Sequence, residues 1–396
     1  MAISFKESLT DVETNLATDE YAIDASVLDV GSGANWSIRK YTLSGGLQEG
    51  VEVVEIDNGK LRFAVLPTRG MGIWKAQSGG LRLGWDSPVK DPVHPAYVNP
   101  LECGGLGWLK GFNEWIVRCG LSSMGAPGMD EMVDNNGNTS EVFLPLHGAI
   151  ANTPARKVSI ELTSTEIILR GEVDETMLFG PALRLNTEIR TQYNGAALTI
   201  NDTVTNIGNN PTEHQLLYHI NYGDPLLEKG TRLVAPYKEV APRDPRATEG
   251  IRHFDTCDEP KAGYVEQVYF MELAGKRGSR ETMAMLRNAK GDLASVIRYK
   301  LKDFPCFALW KNTAARADGY VTGLEPGTSF PNARNFERRK GRVPTLKGGQ
   351  SRSTSLTVEA LDSKKTVRAA EAEIKTLQKA VKAKVHPQPI AKFSDI

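Results

Sequence analysis

The pattern that most limits how this chain can fold is a two-residue alternation broken by a polar turn. In Leu183, Leu185, Thr187 and Ile189 the intervening Arg184, Asn186, Glu188 and Arg190 are all polar, as on a strand with one covered face. The run leads into Asn194-Gly195, and alternation then resumes with Leu198, Ile200 and Val204 against Thr199, Asn201 and Thr203. An Asn-Gly pair supplies the positive φ values of a tight hairpin, so two antiparallel strands are predicted here.

The same signal recurs. Asn58-Gly59, residues 163–166 and Lys290-Gly291 each separate two β-rich runs by a short polar turn. No regular exchange of strands with helices and no repeat of 20–50 residues is present, which argues against a doubly wound sheet, a parallel barrel or a solenoid. The prediction is a mostly β chain: one large antiparallel two-sheet β-sandwich over residues 41–361. Residues 1–40 are expected to form an extension packed on it. Residues 362–396 are expected to form a C-terminal amphipathic helix and tail. In the helix, Val367, Ala370, Ile374, Leu377 and Val381 fall at helical spacing after Asp362-Ser363, giving a face for the sandwich or for a partner subunit in a homo-oligomer. Residues 88–134, rich in Gly and Pro, read as long loops and turns of the kind that serve a site.

A single core of this size is compatible with 396 residues of which 40% are apolar. Lys plus Arg and Asp plus Glu both number 48, so there is no field to hold a nucleic acid or an anionic membrane. No run approaches the ~20 apolar residues of a membrane span, and the first residues lack the apolar segment of a secretion signal, so the chain reads as cytoplasmic. Cys103, Cys119, Cys257 and Cys306 show no zinc-site spacing and read as buried free thiols.

Among the histidines, His94, His253 and His386 stand in polar or Pro-containing stretches without a convergent acid and read as surface residues. His219 lies on a predicted strand with Asn221 two residues on and hence on the same face, and His147 lies in FLPLHGAI. Glu325, in GLEPGTSFPNARN, precedes Pro326 and Gly327, which predicts a carboxylate emerging where a strand breaks into a loop. A satisfied core histidine and a solvated carboxylate are the plain alternatives.

Taken together, LHG at 146–148, YHIN at 218–221 and LEPGTSFPNA at 324–333 resemble the aldose 1-epimerase, or galactose mutarotase-like, family. The three segments occur in that family's order, and the resemblance spans approximately residues 40–360. It implies a supersandwich fold and ring opening of a small sugar substrate, with His219 as general acid, Glu325 as general base and His147 orienting the sugar or stabilising the opening ring. It requires no cofactor and no metal. It also points to Glu266, in GYVEQVYF, as a partner for sugar hydroxyls. Arg69, at a Gly-flanked turn, and Asn221 complete the substrate-binding set. The expected working state is an ionised Glu325 facing a protonated His219, each favouring the other's charge. His147, His219 and Glu325 should converge on one concave face, with Arg69 and Glu266 lining it and residues 88–134 walling it. Two other readings share these residues: an isomerase or lyase acting on a modified sugar, and a non-catalytic carbohydrate-binding module.

Overall fold

The computed structural model describes residues 5–28, 30–31, 33–133 and 135–395. Two large, mostly antiparallel sheets, of ten and thirteen strands, enclose a continuous apolar core. Alternation is what builds it. Leu183, Leu185 and Ile189 are fully buried between the sheets, while Asn186 on the other face is exposed.

All four predicted hairpins are present, from the pairing of Glu52–Asp57 with Leu61–Leu66 to that of Glu281–Arg287 with Ala294–Lys300. The turn at Asn194 is looser than predicted. Asn194 alone of the pair has a positive φ, of 56°, and four residues separate Ala182–Gln192 from Ala197–Asn206. Its backbone explains the length. Asn194 N–H donates to the Asn58 carbonyl at 2.7 Å, and Asn58 Nδ2 reaches Thr191 Oγ1, Gln192 O and Gly195 O at 2.6, 2.8 and 3.0 Å, so the turns of two hairpins from opposite sheets are tied together.

Two predicted segments differ from expectation. Within residues 1–40, described strands enter the sheets themselves: Phe5–Asp11 pairs with Lys157–Leu162 in the ten-stranded sheet, and Tyr21–Asp24 and Ser37–Thr42 join the thirteen-stranded one. Within residues 88–134, Ile116–Leu121 is a fully buried strand. Burial on both faces removed the alternation, and Arg118 disguised it further. Arg118 crosses to the other sheet, where Nε and Nη2 contact the two Asp202 carboxylate oxygens at 2.5 and 3.0 Å while Tyr218 OH donates to the same carboxylate at 2.6 Å. Residues 1–4 and Asp134, at the edges of those two predicted segments, and Ile396, the last residue of the predicted tail, lie outside the described residues.

The C-terminal helix spans Lys364–Gln378, capped by the Ser363 hydroxyl, which accepts from Thr366 N–H. Val367, Ala370 and Ile374 pack against Met283, Met285 and Val296, so the face covers the ten-stranded sheet, and Val381 falls beyond the helix end. The tail then crosses to the other sheet. Lys384–Val385 pairs in parallel with Tyr237–Pro242, and Phe393 is wholly buried among Val268, Ala308 and Phe330. No described helix is long and apolar enough to cross a membrane. Cys119, Cys257 and Cys306 are buried free thiols, whereas Cys103 is exposed.

Candidate active site

Five neighbouring strands of the thirteen-stranded sheet carry the site: Gln267–Leu273, Cys306–Asn312, Val321–Gly327, Gln215–Tyr222 and Ile116–Leu121, in that order. Along Gln215–Tyr222, Tyr218 and Ile220 belong to the core between the sheets, so Leu217, His219 and Asn221 occupy the opposite face. Segments 95–115 and 122–127, on either side of the strand Ile116–Leu121, close over that face. They supply Leu106, Trp108, Leu109 and Phe112, and a cavity of about 420 Å³ is left between them and the sheet.

His147, His219, Glu325 and Glu266 all line this cavity. Glu325 corrects the expectation of a loop-edge carboxylate. It lies inside the strand, paired with Ala308, only 3% exposed, because the strand continues through Pro326 to Gly327. His219 Nε2 and Glu325 Oε1 are 3.2 Å apart. Gly323, one residue pair away on the same face, allows this approach, since a Cβ there would stand 2.9 Å from His219 Cε1 and 3.1 Å from Glu325 Oε1.

His147 has a φ of 60° and precedes Gly148, where a Cβ would meet Ser123 O at 2.1 Å. This tight turn brings the ring into the cavity with Nδ1 donating to Met124 O at 2.9 Å, against the Trp108 ring at 4.6 Å and the His219 ring at 5.7 Å. Nε2 of a neutral His147 is thereby left as an acceptor.

Burial works against the expected charge state. Burial pushes His219 down to about 3, and the neighbouring His147 pushes in the same direction against the Asn221 hydrogen bond. Burial likewise takes His147 down to about 4. Burial, then the Glu266 charge, raise Glu325 well above the usual carboxylate range, with Arg243 opposing. The contact between His219 and Glu325 has the geometry of an ion pair, while burial opposes the charged form of each partner. In its neutral form the pair holds one shared proton.

Two predicted ligands are not at the cavity surface. Arg69 is 1% exposed and donates to Glu114 Oε1, Val93 O, Asn152 Oδ1 and Gly111 O at 2.7–2.9 Å, so every nitrogen of its fork is engaged in holding loops together. Asn221 is fully buried behind His219, with Oδ1 2.6 Å from His219 Nδ1. His386 also departs from expectation, since Nε2 contacts Glu239 Oε1 at 2.6 Å.

The sequence reading did not find Arg243, Trp108 or Trp310. Arg243 Nη2 donates to Glu266 Oε1 at 3.0 Å, Arg243 Nε to Asp244 Oδ2 at 2.8 Å, and Trp310 Nε1 to Glu266 Oε2 at 2.6 Å. The half-exposed Glu266 is thus fixed while keeping lone pairs for hydroxyl groups. Aromatic rings against such polar groups suit the two faces of a sugar. Among the described residues no cluster of His, Cys, Asp and Glu has the arrangement of a metal site.

A family model described as "domain of unknown function (DUF4432)" matches residues 48–360. A protein described provisionally as an aldose 1-epimerase, from Klebsiella pneumoniae subsp. pneumoniae MGH 78578, is 33% identical over 98% of this chain and 99% of its own, with a TM-score of 0.92. Two more distant structures share the fold. A galactose mutarotase-like protein from Clostridium acetobutylicum is 12% identical, with a TM-score of 0.55, over 87% of this chain and 99% of its own. A protein from Escherichia coli K12, likewise described provisionally as an aldose 1-epimerase, is 15% identical, with a TM-score of 0.52, over 78% and 99%. No curated protein matches the sequence.

Proposed function

From the premise that the chain belongs to the DUF4432 family and, through it, to the aldose 1-epimerase and galactose mutarotase-like proteins, we propose that it interconverts the anomers of a free sugar by acid/base ring opening. The observation that carries this reading is the His219 Nε2 to Glu325 Oε1 contact of 3.2 Å inside a cavity of about 420 Å³. Mutarotation asks for one proton on the ring oxygen and removal of one from the anomeric hydroxyl, and a two-base unit holding a single proton can do both and return to its starting state when the ring recloses. A positioned acid and base each contribute about 10²–10⁴-fold. The Arg243–Glu266–Trp310 set offers donors and acceptors to the remaining hydroxyls, and His147 Nε2 offers one more acceptor.

The test is anomeric exchange followed by NMR across a panel of free aldoses. Acceleration of at least one sugar, lost in Glu325→Gln, is the expected result. Tight sugar binding with exchange rates unchanged across the panel would instead make the chain a carbohydrate-binding module.

A further inference from the structure

The strands beneath the cavity give it two flanks of different chemistry. Glu325 and His219, on Val321–Gly327 and Gln215–Tyr222, stand in the middle of the row. To one side lie Trp310, on Cys306–Asn312, then Glu266, which directly precedes Gln267–Leu273, and Arg243, which directly follows the adjoining Tyr237–Pro242. Hydrogen bonds from Arg243 and Trp310 fix Glu266 there with lone pairs to spare. This flank can bind hydroxyl groups.

The other flank rises beside Ile116–Leu121, where Gly148 bridges to Gly120. Backbone bonds gather Leu106, Leu109, Ala126, Pro127, Leu146 and Pro331 into one wall: Leu146 N–H donates to Gly105 O at 2.9 Å, His147 N–H to Gly125 O at 3.0 Å and Ala126 N–H to Pro331 O at 3.2 Å. The two leucines are likewise satisfied, with Leu106 N–H donating to Glu102 O at 2.9 Å and Leu109 N–H to Leu106 O at 3.0 Å. Prolines have no N–H, and none of these side chains carries a polar atom. The wall therefore offers a hydroxyl group no donor. Leu106 and Leu109 are 41% and 45% exposed, so apolar surface waits at the mouth for a ligand to cover it.

An aldohexose ring has the same two-sided character. Its hydroxyls on C2, C3 and C4 follow one edge, whereas the edge from the ring oxygen through C5 carries only C6. With the anomeric carbon and ring oxygen at the His219–Glu325 pair, the hydroxyl edge meets Glu266 and Arg243, and C6 meets the wall. A hydroxyl on C6 would give up water there without gaining a donor, whereas a methyl group would cover the leucines. We propose that this wall is a subsite for the C5–C6 edge of a 6-deoxyaldose, making such sugars better substrates than their 6-hydroxy counterparts. The placing of the ring rests on the anomer-exchange reading, and the wall's lack of donors rests on hydrogen-bond geometry.

Matched pairs test it: D-fucose with D-galactose, D-quinovose with D-glucose, and L-rhamnose with L-mannose, followed by NMR of anomeric exchange. In each pair that is turned over, kcat/KM should be about 10–100-fold higher for the 6-deoxy sugar, the range by which an apolar pocket distinguishes a methyl from a hydroxyl-bearing group. Saturation-transfer NMR of the same sugars, which reads binding without turnover, should show the strongest transfer on the methyl protons. Leu106→Ser and Leu109→Ser alter half-open positions that the fold tolerates, and each should lower the preference within a pair while leaving the 6-hydroxy sugar's rate nearly unchanged. Equal or better turnover of the 6-hydroxy sugars, or methyl protons that receive no more saturation than the ring protons, would overturn the proposal. If no sugar is turned over but the 6-deoxy sugars bind more tightly through their methyl groups, the subsite stands and the anomer-exchange reading alone fails.

Discussion

Burial opposes the charged forms of His147, His219 and Glu325, and that makes the exchange of one atom in Glu325 informative. Glu325→Gln preserves shape but can neither give nor take the shared proton, so kcat should fall by about 10²-fold or more with KM little changed, measured by NMR exchange. The same change should stabilise the fold. A carboxyl raised well above its ordinary range by burial loses stability for the protein as pH rises, and glutamine carries no such liability, so the gain in Tm should be larger at pH 8 than at pH 5. The acid limb of activity should lie near pH 4 or below, because His147 and His219 stay neutral down to about 4 and about 3. A limb at pH 6.5 would show imidazoles in contact with water. His147, His219 and Glu325 were legible because short motifs carry them. Their charge states were not, since desolvation depends on loops far away in sequence. Arg243, Trp108 and Trp310 were not legible for a similar reason: alone, each reads as an ordinary surface arginine or core aromatic.

At the level of elements, hairpins announce themselves through their turns, and helix Lys364–Gln378 through its spacing and its Ser363 cap. Strands buried on both faces do not. Ile116–Leu121 and Val321–Gly327 have neither alternation nor a turn-flanked polar face, and each carries a polar residue, Arg118 or Glu325, that only tertiary contacts explain. The tail was legible only as a polar end, whereas Phe393 fills a gap behind the cavity wall. Its ring lies 4.9 Å from that of Phe330, next to the wall residue Pro331, and Asn332 Nδ2 donates to its carbonyl at 2.8 Å. Phe393→Ala should cost about 3–5 kcal/mol in denaturant unfolding. It should also raise KM more than it lowers kcat, because it loosens Pro331 and Val268 while leaving the His219–Glu325 contact in place.

Across the whole molecule, the two sheets are held in register by more than apolar packing. The Arg118–Asp202 pair, 2% and 0% exposed, joins them beneath the strand that carries His219. Asp202→Asn leaves a buried guanidinium without its counter-charge and should destabilise the protein by about 3–5 kcal/mol in chemical unfolding. A smaller loss would mean that Thr187 and the Met71 carbonyl suffice to hold Arg118. Acid should act on the same scale. His147, His214 and His219 are buried with proton affinities lowered to about 4, about 4 and about 3, so the unfolded chain binds more protons than the native one below pH 6.5. Stability should therefore decline as pH falls from about 6.5 towards 4, by on the order of 3 kcal/mol per histidine, and thermal melts in that window would show it. The crossing of the tail from one sheet to the other has a consequence for how the protein is made. A ribosome makes His147, His219 and Glu325 before Phe393, so residues that line the cavity exist before the ring that backs its wall. The packing behind Val268 is completed only when Phe393 docks.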